Sequence, residues 1–375
     1  MKLKVLELFG GIGACSKALE RLGIDYEIAD YVEIDKYAVK SFNAMHNTNF
    51  EPQDICKWNK DIEVDLIMHG SPCQDFSLAG LQAGGDEGSG TRSSLMYETI
   101  RIVKKLKPKY VIWENVKNLL SKKHIHNFTA YLDALEELGY RNYYQVLNAK
   151  DYGIPQNRER VFTISIRKDL EIDFVFPPKQ QLKLRLKDML EDNVEEKYYL
   201  SKKMINFFVR NEQTQKEKGN GFRFGITDGE TIAKAITTRA GCRMDDNYIL
   251  KPKVLGGIGK KDSNNNTQWK QQNRIYDNNV SISVCTCYNP NYIDNNSRIR
   301  KLTPKECWRL MGFDDEDFEK ASKVCSNTQL YKQAGNSIVV NVLEAILRNL
   351  LLEEKTPGTQ VQTTIYDYIG GENDV

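Results

Sequence analysis

One cysteine stands where an α/β enzyme could use a nucleophile. Cys73 belongs to the stretch 69–77, which contains glycine, proline and polar residues, and it follows the apolar run 64–68. That run predicts a buried strand, and ligands of an open α/β sheet bind beyond the carboxyl ends of its strands. A thiolate at this edge could attack an electrophilic carbon, although most free cysteines are small buried hydrophobes.

A carboxyl group is predicted at the end of a neighbouring strand. Residues 110–113 are apolar and predict another buried strand, which ends at Glu114-Asn115-Val116. We expect Glu114 and Cys73 on the same rim of one sheet, where burial would raise the pKa of the carboxyl group and let it donate a proton. Arg158 and Arg160 share strand parity and would point to one side, unless they are surface arginines paired with acids.

A glycine-rich turn between a strand and a helix indicates a nucleotide-type cofactor. Residues 5–9 predict a buried strand, residues 10–13 the turn and residues 14–22 a helix, which together form the first half of a Rossmann-type unit. The dinucleotide fingerprint needs a further glycine where Ser16 stands, so a pyrophosphate-binding loop is disfavoured.

Acidic residues follow the next two predicted strands. Glu33 comes after the apolar run 28–32, where its carboxylate could accept hydrogen bonds from ribose hydroxyls. Asp54-Ile55 stands where we expect a third strand to end and could reach an adenine amino group. Acids at strand ends are otherwise helix caps or surface charges. The pattern favours a nucleoside cofactor without a pyrophosphate, and S-adenosylmethionine fits it.

Composition indicates a globular protein of about two domains. The chain has 375 residues, of which 40% are apolar, enough to bury a large core. Because no run of 18 apolar residues occurs and residues 1–5 lead into a strand, we expect a cytoplasmic protein with no membrane association. The eight cysteines are irregularly spaced, which favours reduced thiols over disulfide bonds. Cys285 and Cys287 have no second pair of Cys or His residues nearby in the sequence, so we expect no metal site.

A composition shift at Pro177-Pro178 indicates an inserted domain. The segment 178–299 is richer in Asn, Gln, Lys and Gly, and we expect short strands and long loops there. Residues 201–300 contain 17 Lys and Arg against 9 Asp and Glu, a net charge of +8 in a chain whose total is +2. Such a basic face fits a polyanion, although chance clustering on a solvated surface gives the same count.

The last part of the chain predicts two helices. Thr303 is a plausible N-cap with Pro304 at the first helical position, Glu306 completes a capping box, and Gly312 would end the helix. The apolar run 338–352 predicts a second helix, and the tail from residue 353 onward is polar and is expected to be poorly ordered.

Five short motifs together resemble the DNA (cytosine-5)-methyltransferase family of bacteria and phages. In chain order they are Phe9-Gly10-Gly11-Ile12-Gly13, Pro72-Cys73-Gln74, Glu114-Asn115-Val116, Gln156-Asn157-Arg158-Glu159-Arg160 and Gln333-Ala334-Gly335-Asn336-Ser337. The resemblance covers about residues 1–177 and 298–350. It implies a Rossmann-like α/β catalytic domain (1–177 and 300–352), a smaller inserted target-recognition domain (178–299) and a C-terminal tail (353–375).

The resemblance also implies a mechanism. Cys73 would attack C6 of a cytosine that has flipped out of the duplex, so that C5 accepts the methyl group of S-adenosylmethionine and S-adenosylhomocysteine is left. Glu114 would engage N3 and the exocyclic amine, and Arg160 would hold O2. Arg158 and Gln156 would organise the site, and the glycine-rich loop 78–91 would close over the base.

The cofactor contacts are carried over in the same way. The family's pattern implies contacts from Phe9, Gly11, Ile12, Gly13, Glu33, Asp54, Ile55, Pro72, Leu95, Asn336 and Ser337. Family members often have tryptophan after the ribose-binding acid, whereas this chain has Ile34, so the packing on adenine would be aliphatic. We expect a monomer that acts on double-stranded DNA in a bacterial or phage-infected cell, and a companion restriction endonuclease is an expectation from the family alone.

Other functions remain open from the sequence. An RNA (tRNA) cytosine-5 methyltransferase would share the fold and chemistry, and the basic insert favours DNA without excluding it. A catalytically idle DNA-binding protein is disfavoured because the thiol, the carboxyl group and the arginines are all present. An NAD-dependent oxidoreductase is disfavoured by Ser16, and a cysteine hydrolase by the lack of an evident base, since His69 is expected to cap its strand.

Overall fold

The computed structural model of the chain describes residues 2–72, 95–219, 223–251 and 298–353, and four short strands between residues 254 and 276. Its helices are α1 (Ala14–Arg21), α2 (Lys36–His46), α3 (Met96–Leu106), α4 (Ile125–Glu137), α5 (Lys202–Glu217), α6 (Pro304–Arg309), α7 (Asp315–Ser322), α8 (Asn327–Asn336) and α9 (Val340–Leu351). Within these ranges, no helix has the length and apolar character needed to cross a membrane.

The strands follow the same numbering along the chain. They are β1 (Leu3–Leu8), β2 (Tyr26–Val32), β3 (Leu66–His69), β4 (Tyr110–Val116), β5 (Tyr140–Asn148), β6 (Gln156–Asn157), β7 (Glu159–Arg167), β8 (Ile226–Thr227), β9 (Ala233–Lys234), β10 (Tyr248–Lys251), β11 (Val254–Gly257), β12 (Lys260–Lys261), β13 (Thr267–Gln268), β14 (Arg274–Tyr276) and β15 (Arg298–Lys301).

Six strands form the central sheet, in the order β2-β1-β3-β4-β7-β5. The strands β2, β1, β3 and β4 are parallel to one another, whereas β7 runs antiparallel to both β4 and β5. The chain therefore has an α/β fold with a mostly parallel sheet, as the sequence predicts. Since parallel neighbours end at the same edge, the carboxyl ends of β1 to β4 meet there.

Helices cover both faces of this sheet. On one face, Ala18 of α1 and Leu343 of α9 belong to the same apolar cluster as Val5 of β1. On the other face, Ile102 of α3 belongs to a second cluster with Leu6, the next residue of β1. Because side chains alternate between two covered faces, the short strand β3 is fully buried, which explains why its sequence is a nearly continuous apolar run.

The segment between α2 and β3 differs from the prediction. Residues 47–65 contain no strand, and Asp54-Ile55 begins a turn instead of ending a third strand. There the Asp54 carboxylate accepts a hydrogen bond from the backbone N–H of Cys56 (3.0 Å). The prediction was wrong because the segment is mostly polar and contains Pro52, so it lacks the run of buried residues that a central strand needs.

Part of the predicted inserted domain forms a smaller sheet in the order β15-β10-β8. Strand β10 is antiparallel to β15 and parallel to β8. Helix α5 packs against this sheet, and a small core forms from Ile205, Phe208, Phe224, Tyr248 and Ile299. Strand β15 contains Ile299, the last residue assigned to the insert, and the division into domains stays a prediction.

A fully buried ion pair joins β15 to α6. Arg300 donates to both carboxylate oxygens of Glu306 over 2.7 and 2.8 Å, and neither side chain is exposed. The predicted capping box is present, because Thr303 caps α6 and the Glu306 carboxylate accepts from the backbone N–H of Thr303. Strand β15, at the end of the predicted insert, is thus fixed to helix α6, which follows it.

Glu306→Ala should lower the free energy of unfolding by about 3–5 kcal/mol, because it leaves the Arg300 charge buried without a partner. Urea unfolding followed by circular dichroism measures the change. The matched control is Glu319→Ala, which removes an exposed acid that pairs with Lys305, and it should change stability by less than about 0.5 kcal/mol. Equal losses in the two variants would contradict the buried-pair account.

Candidate active site

The chain that leads to Cys73 approaches Glu114. Cys73 itself and the loop 78–91 lie outside the described residues, and the chain is described as far as Pro72. Pro72 follows β3 at the carboxyl edge of the sheet. A Cβ added to Gly70 would lie 3.7 Å from the Oε2 atom of Glu114, so glycine lets this backbone pass close to the carboxyl group.

Two residues of β4 that flank Glu114 hold this chain in place. The Trp113 indole donates to the Ser71 hydroxyl (2.9 Å), and the Asn115 side-chain amide donates to the Ser71 carbonyl (3.4 Å). Neither side chain is predicted from the sequence to have this role. The sequence predicts Trp113 only as part of the apolar strand, but a buried indole N–H needs an acceptor, and that requirement is the available signal.

Glu114 forms an ion pair at the end of β4. It is 9% exposed, and its Oε1 atom lies 3.0 Å from the Nε atom of Arg160. The antiparallel register of β4 and β7 places Arg160 opposite Val116, two residues from Glu114. Burial raises the pKa of Glu114 above its usual value, although the charges of Arg160 and Arg158 oppose this rise. The carboxyl group therefore holds a proton more readily than a free glutamate does.

Arg158 binds three backbone carbonyls from two distant parts of the chain. Its guanidinium donates to the carbonyl of Ile236 (3.0 Å), in the predicted insert, and to the carbonyls of Gly335 (3.1 Å), in the last turn of α8, and Ser337 (2.9 Å), which follows α8. The side chain is buried, and its charge acts on Glu114. Arg158 and Arg160 thus lie near the same carboxyl group, but only Arg160 pairs with it directly.

Gln156, like Arg158, binds the predicted insert at Ile236. Its side-chain amide donates to the Leu310 carbonyl (2.6 Å) and accepts from the backbone N–H of Ile236 (2.9 Å), and it is fully buried. Strand β6, which contains Gln156, also pairs with β9 of the inserted segment. Gly335 lies against the backbone of Thr238, at a distance where an added Cβ would be 2.3 Å from its nitrogen. Residues 233–238 of the predicted insert therefore pack closely against β6 and the last turn of α8.

The loop after β1 has an unusual backbone. Phe9, Gly11 and Gly13 have φ angles of 52°, 57° and 79°, in the left-handed region that glycine tolerates and phenylalanine rarely adopts. Ile12 is buried in the core and anchors the loop. Strained conformations of this kind cluster at ligand sites, and the loop leads directly into the N-terminus of α1.

Glu33 lies next to this loop, after β2. Its Oε2 atom accepts from the backbone N–H of Gly11 (3.1 Å) and its Oε1 atom from that of Asp35 (2.8 Å). Burial raises the pKa of Glu33 despite these hydrogen bonds. The neighbouring Ile34 is 70% exposed, more than any other large apolar side chain in the described part of the chain. A half-buried acid beside an uncovered apolar side chain would suit the ribose and base of a nucleoside.

The remaining predicted cofactor contacts lie around the same edge. Leu95 is half-buried at the start of α3, and Asn336 is the last residue of α8 and is exposed. Ser337 is buried and is held through its carbonyl by Arg158. The side chain of Ile338 lies 3.6 Å from the position of a Cβ on Gly70, so the link between α8 and α9 borders the chain that enters the cysteine motif.

His69 is the last residue of β3 and is not exposed. Its Nε2 atom lies 2.8 Å from the Tyr131 hydroxyl, and burial lowers its pKa to about 3. The ring is therefore neutral near pH 7 and is fixed in the core beneath α4. Among the described residues, no group of three His, Cys, Asp or Glu side chains could hold a metal ion.

Comparison with known proteins finds similar sequences over nearly the whole chain. A sequence model described as C-5 cytosine-specific DNA methylase matches residues 3–352. The orphan methyltransferase M.SPRI of Bacillus phage SPR is 34% identical over 435 aligned positions, which cover 93% of this chain and 98% of that protein. The type II methyltransferase M2.ScrFI of Lactococcus lactis subsp. cremoris is 35% identical over 403 positions, covering 93% and 99%.

Solved structures resemble the fold. The Dnmt2 methyltransferase of S. pombe superimposes with a TM-score of 0.66 at 18% identity, over 93% of this chain and 98% of that one. The methyltransferase EhMeth of Entamoeba histolytica also has a TM-score of 0.66 at 18% identity, over 94% and 100%. At this identity the likeness concerns the architecture, an α/β methyltransferase fold.

Arg160→Ala should raise the pKa of Glu114 further, because it removes both a positive charge and a hydrogen bond that favour the carboxylate. Carbon-13 NMR of labelled glutamate carboxyls, with Glu114→Gln to assign the resonance, follows the midpoint of the titration, which should move to higher pH. Lys117→Ala removes an exposed cation that pairs with Glu159 and serves as the control. An unchanged Glu114 titration in Arg160→Ala would contradict the pairing.

Proposed function

The chain belongs to the C-5 cytosine-specific DNA methylase family, and from this premise we propose that it methylates C5 of cytosine within a specific sequence of double-stranded DNA. S-adenosylmethionine is the proposed methyl donor and S-adenosylhomocysteine the product. The observation that carries the proposal is the ion pair of Glu114 and Arg160, at the carboxyl edge of the sheet beside the chain that leads to Cys73.

Cys73 is the proposed nucleophile because cytosine C5 reacts too weakly with a methyl donor unless the ring is first activated. Its thiolate adds to C6, and the electron pair of the C5–C6 double bond moves toward C5 and N3. After C5 has gained the methyl group, the C5 proton leaves to a base, the double bond forms again and the thiolate of Cys73 is expelled. The sulfonium of S-adenosylmethionine supplies the electrophilic methyl group when it is bound.

Glu114 suits the role of proton donor to N3. Negative charge develops on the ring when the thiolate adds, and a proton at N3 would offset it. The carboxyl group has a raised pKa, so it can carry that proton, and its pairing with Arg160 fixes its direction. Arg160 is partly exposed at this edge and is the proposed donor to O2 of the base.

The residues around the loop 9–13 fit a nucleoside donor. Each oxygen of the Glu33 carboxylate accepts one hydrogen bond from the backbone, and a carboxylate oxygen has two acceptor sites, so ribose hydroxyls could still donate to it. Ile34 offers an uncovered apolar surface for adenine. The missing dinucleotide glycine at Ser16 agrees with a cofactor that has no pyrophosphate.

The inserted segment 178–299 is the proposed target-recognition domain. Its net charge of +8 over residues 201–300 suits a polyanion, and Gln156 and Arg158 hold its residue Ile236 against the catalytic side. The target cytosine must leave the duplex, which costs a few kcal/mol. We propose that the loop 78–91, outside the described residues, closes over the flipped base.

The biological setting follows from relatives and remains part of the proposal. The similar proteins named above include a type II methyltransferase and an orphan phage methyltransferase. The former name suggests a companion restriction endonuclease and the latter suggests none. We propose a monomer that acts in the cytoplasm of a bacterial or phage-infected cell, where its DNA substrate is found.

Cys73→Ser should abolish methyl transfer and leave the affinity for duplex DNA unchanged, because serine cannot supply a thiolate. DNA with 5-fluorocytosine at the target position should trap a covalent complex in the wild-type protein, since the C5 proton that must leave has been replaced by fluorine. Denaturing electrophoresis and peptide mass spectrometry locate the adduct. An adduct on a residue other than Cys73, or full activity in Cys73→Ser, would contradict the mechanism.

Glu33→Gln should weaken the binding of S-adenosylhomocysteine by about 10- to 100-fold, because hydrogen bonds to a charged acceptor contribute about 1.5–3 kcal/mol. Isothermal titration calorimetry measures the affinity. Glu27→Gln, an exposed acid on the same strand β2, is the matched control and should bind as the wild type does. Equal affinities in the wild type and in Glu33→Gln would show that the acid does not hold the ribose.

A further inference from the structure

We propose that Asp30 and Arg101 are positioning residues that fix the adenine end of the cofactor site. They hold the segment 53–58, called here the adenine segment, which carries Asp54 and Ile55. The inference rests on the proposed use of S-adenosylmethionine. It concerns two residues outside the five motifs that identify the family, and it follows from how this segment is attached to the rest of the molecule.

The adenine segment has no strand to hold it. Its residues Asp54 to Lys57 form a turn, and the sheet contributes no ladder of hydrogen bonds to the segment. Ile55 and Trp58 are buried, at 5% and 4% exposure, but the rest of the surrounding segment is largely polar. A loop that contributes two ligand contacts must therefore be positioned by side chains from elsewhere.

Asp30 holds the segment from the side of β2. Its side chain is buried, and its carboxylate accepts from the Trp58 indole (2.7 Å), from the Gln53 side-chain amide (3.0 Å) and from Lys60 (2.7 Å). Burial opposes ionisation, but the hydrogen bonds from Lys60, Trp58 and Gln53 outweigh it and lower the pKa of Asp30. Asp30 is thus a carboxylate near pH 7, with donors on both of its oxygens.

Arg101 holds the segment from the side of α3. Its Nη2 atom donates to the carbonyls of Ile55 (3.0 Å) and Trp58 (2.9 Å), and its Nε atom donates to Glu98 (2.7 Å). Glu98 lies one turn earlier on the same helix and orients the guanidinium. The guanidinium thus binds two carbonyls through one nitrogen atom while Glu98 fixes the orientation of its plane through another.

The segment is also tied to the proposed ribose site. The backbone N–H of Gln53 donates to the carbonyl of Glu33 (2.8 Å), and its side-chain amide donates to the carbonyl of Tyr31 (2.7 Å) as well as to Asp30. The distance between the ribose acid and Asp54 is therefore set by these bonds. Substituting Asp30 or Arg101 should let the adenine segment move, which weakens its contact with adenine. The ion pair of Glu114 and Arg160 should stay intact.

The experiment compares two ligands, S-adenosylhomocysteine and its inosine analogue, in which an oxo group replaces the adenine amino group. Calorimetry on the full-length protein should show that the wild type binds the adenosine form and strongly disfavours the inosine form. Asp30→Asn and Arg101→Met should each bind the adenosine form about 10- to 100-fold more weakly, and the ratio of the two affinities should fall toward one. Affinity for duplex DNA without cofactor should not change.

The controls are Asp61→Asn, an exposed acid near the segment, and Lys104→Met, an exposed cation on α3, and both should keep the wild-type ratio. If the melting temperature of Asp30→Asn lies well below that of the wild type, the affinity ratio of Arg101→Met tests the inference instead. The Arg101 side chain is partly exposed, and removing it leaves no buried charge without a partner. If folded Asp30→Asn or Arg101→Met keeps the wild-type ratio of affinities for the two ligands, the positioning role is overturned and the proposed cofactor is not affected. Failure of the wild-type protein to bind either ligand would overturn the proposed cofactor and this inference with it.

Discussion

The proposed chemistry depends on one buried carboxyl group, that of Glu114, which pairs directly with Arg160 and also feels the charge of Arg158. Burial raises the pKa of Glu114, so that it holds a proton more readily than an exposed glutamate, and the charges of the two arginines limit this rise. The arrangement is possible because β7 runs antiparallel to β4. The first residues of β7 therefore lie at the carboxyl edge of β4, whereas a parallel strand would have placed Arg160 at the opposite edge.

At the same edge of the sheet, Arg158 interacts with three parts of the molecule. It reaches the inserted segment at Ile236 and the link between α8 and α9 at Ser337, and its charge acts on Glu114. In the proposed function, the first part reads DNA and the second borders the methyl donor. One side chain thus connects the segment around Ile236 and the link between α8 and α9 to the surroundings of Glu114, and it does so through backbone carbonyls, which every residue type offers.

Features that depend on local sequence could be predicted. The strand, glycine turn and helix over residues 3–21 follow from neighbouring residues, and so does the capping box at Thr303. The turn that contains Asp54 could not be predicted, since its neighbours Ile55 and Trp58 are bound by Arg101 and Asp30 from other elements. An acid within the largely apolar strand β2 was the available signal, because a buried charge requires partners. The sequence that the proposed target-recognition segment would read could not be predicted, because base contacts depend on individual side chains that follow no periodic pattern.

The most direct test of the central claim identifies the product. Duplex DNA and tRNA are incubated separately with the protein and isotope-labelled S-adenosylmethionine, digested to nucleosides and analysed by chromatography with mass spectrometry. A DNA (cytosine-5)-methyltransferase yields labelled 5-methyl-2′-deoxycytidine from DNA and no labelled nucleoside from tRNA, and we expect this result. Label at N4 of cytosine, at N6 of adenine, or only in tRNA would contradict it.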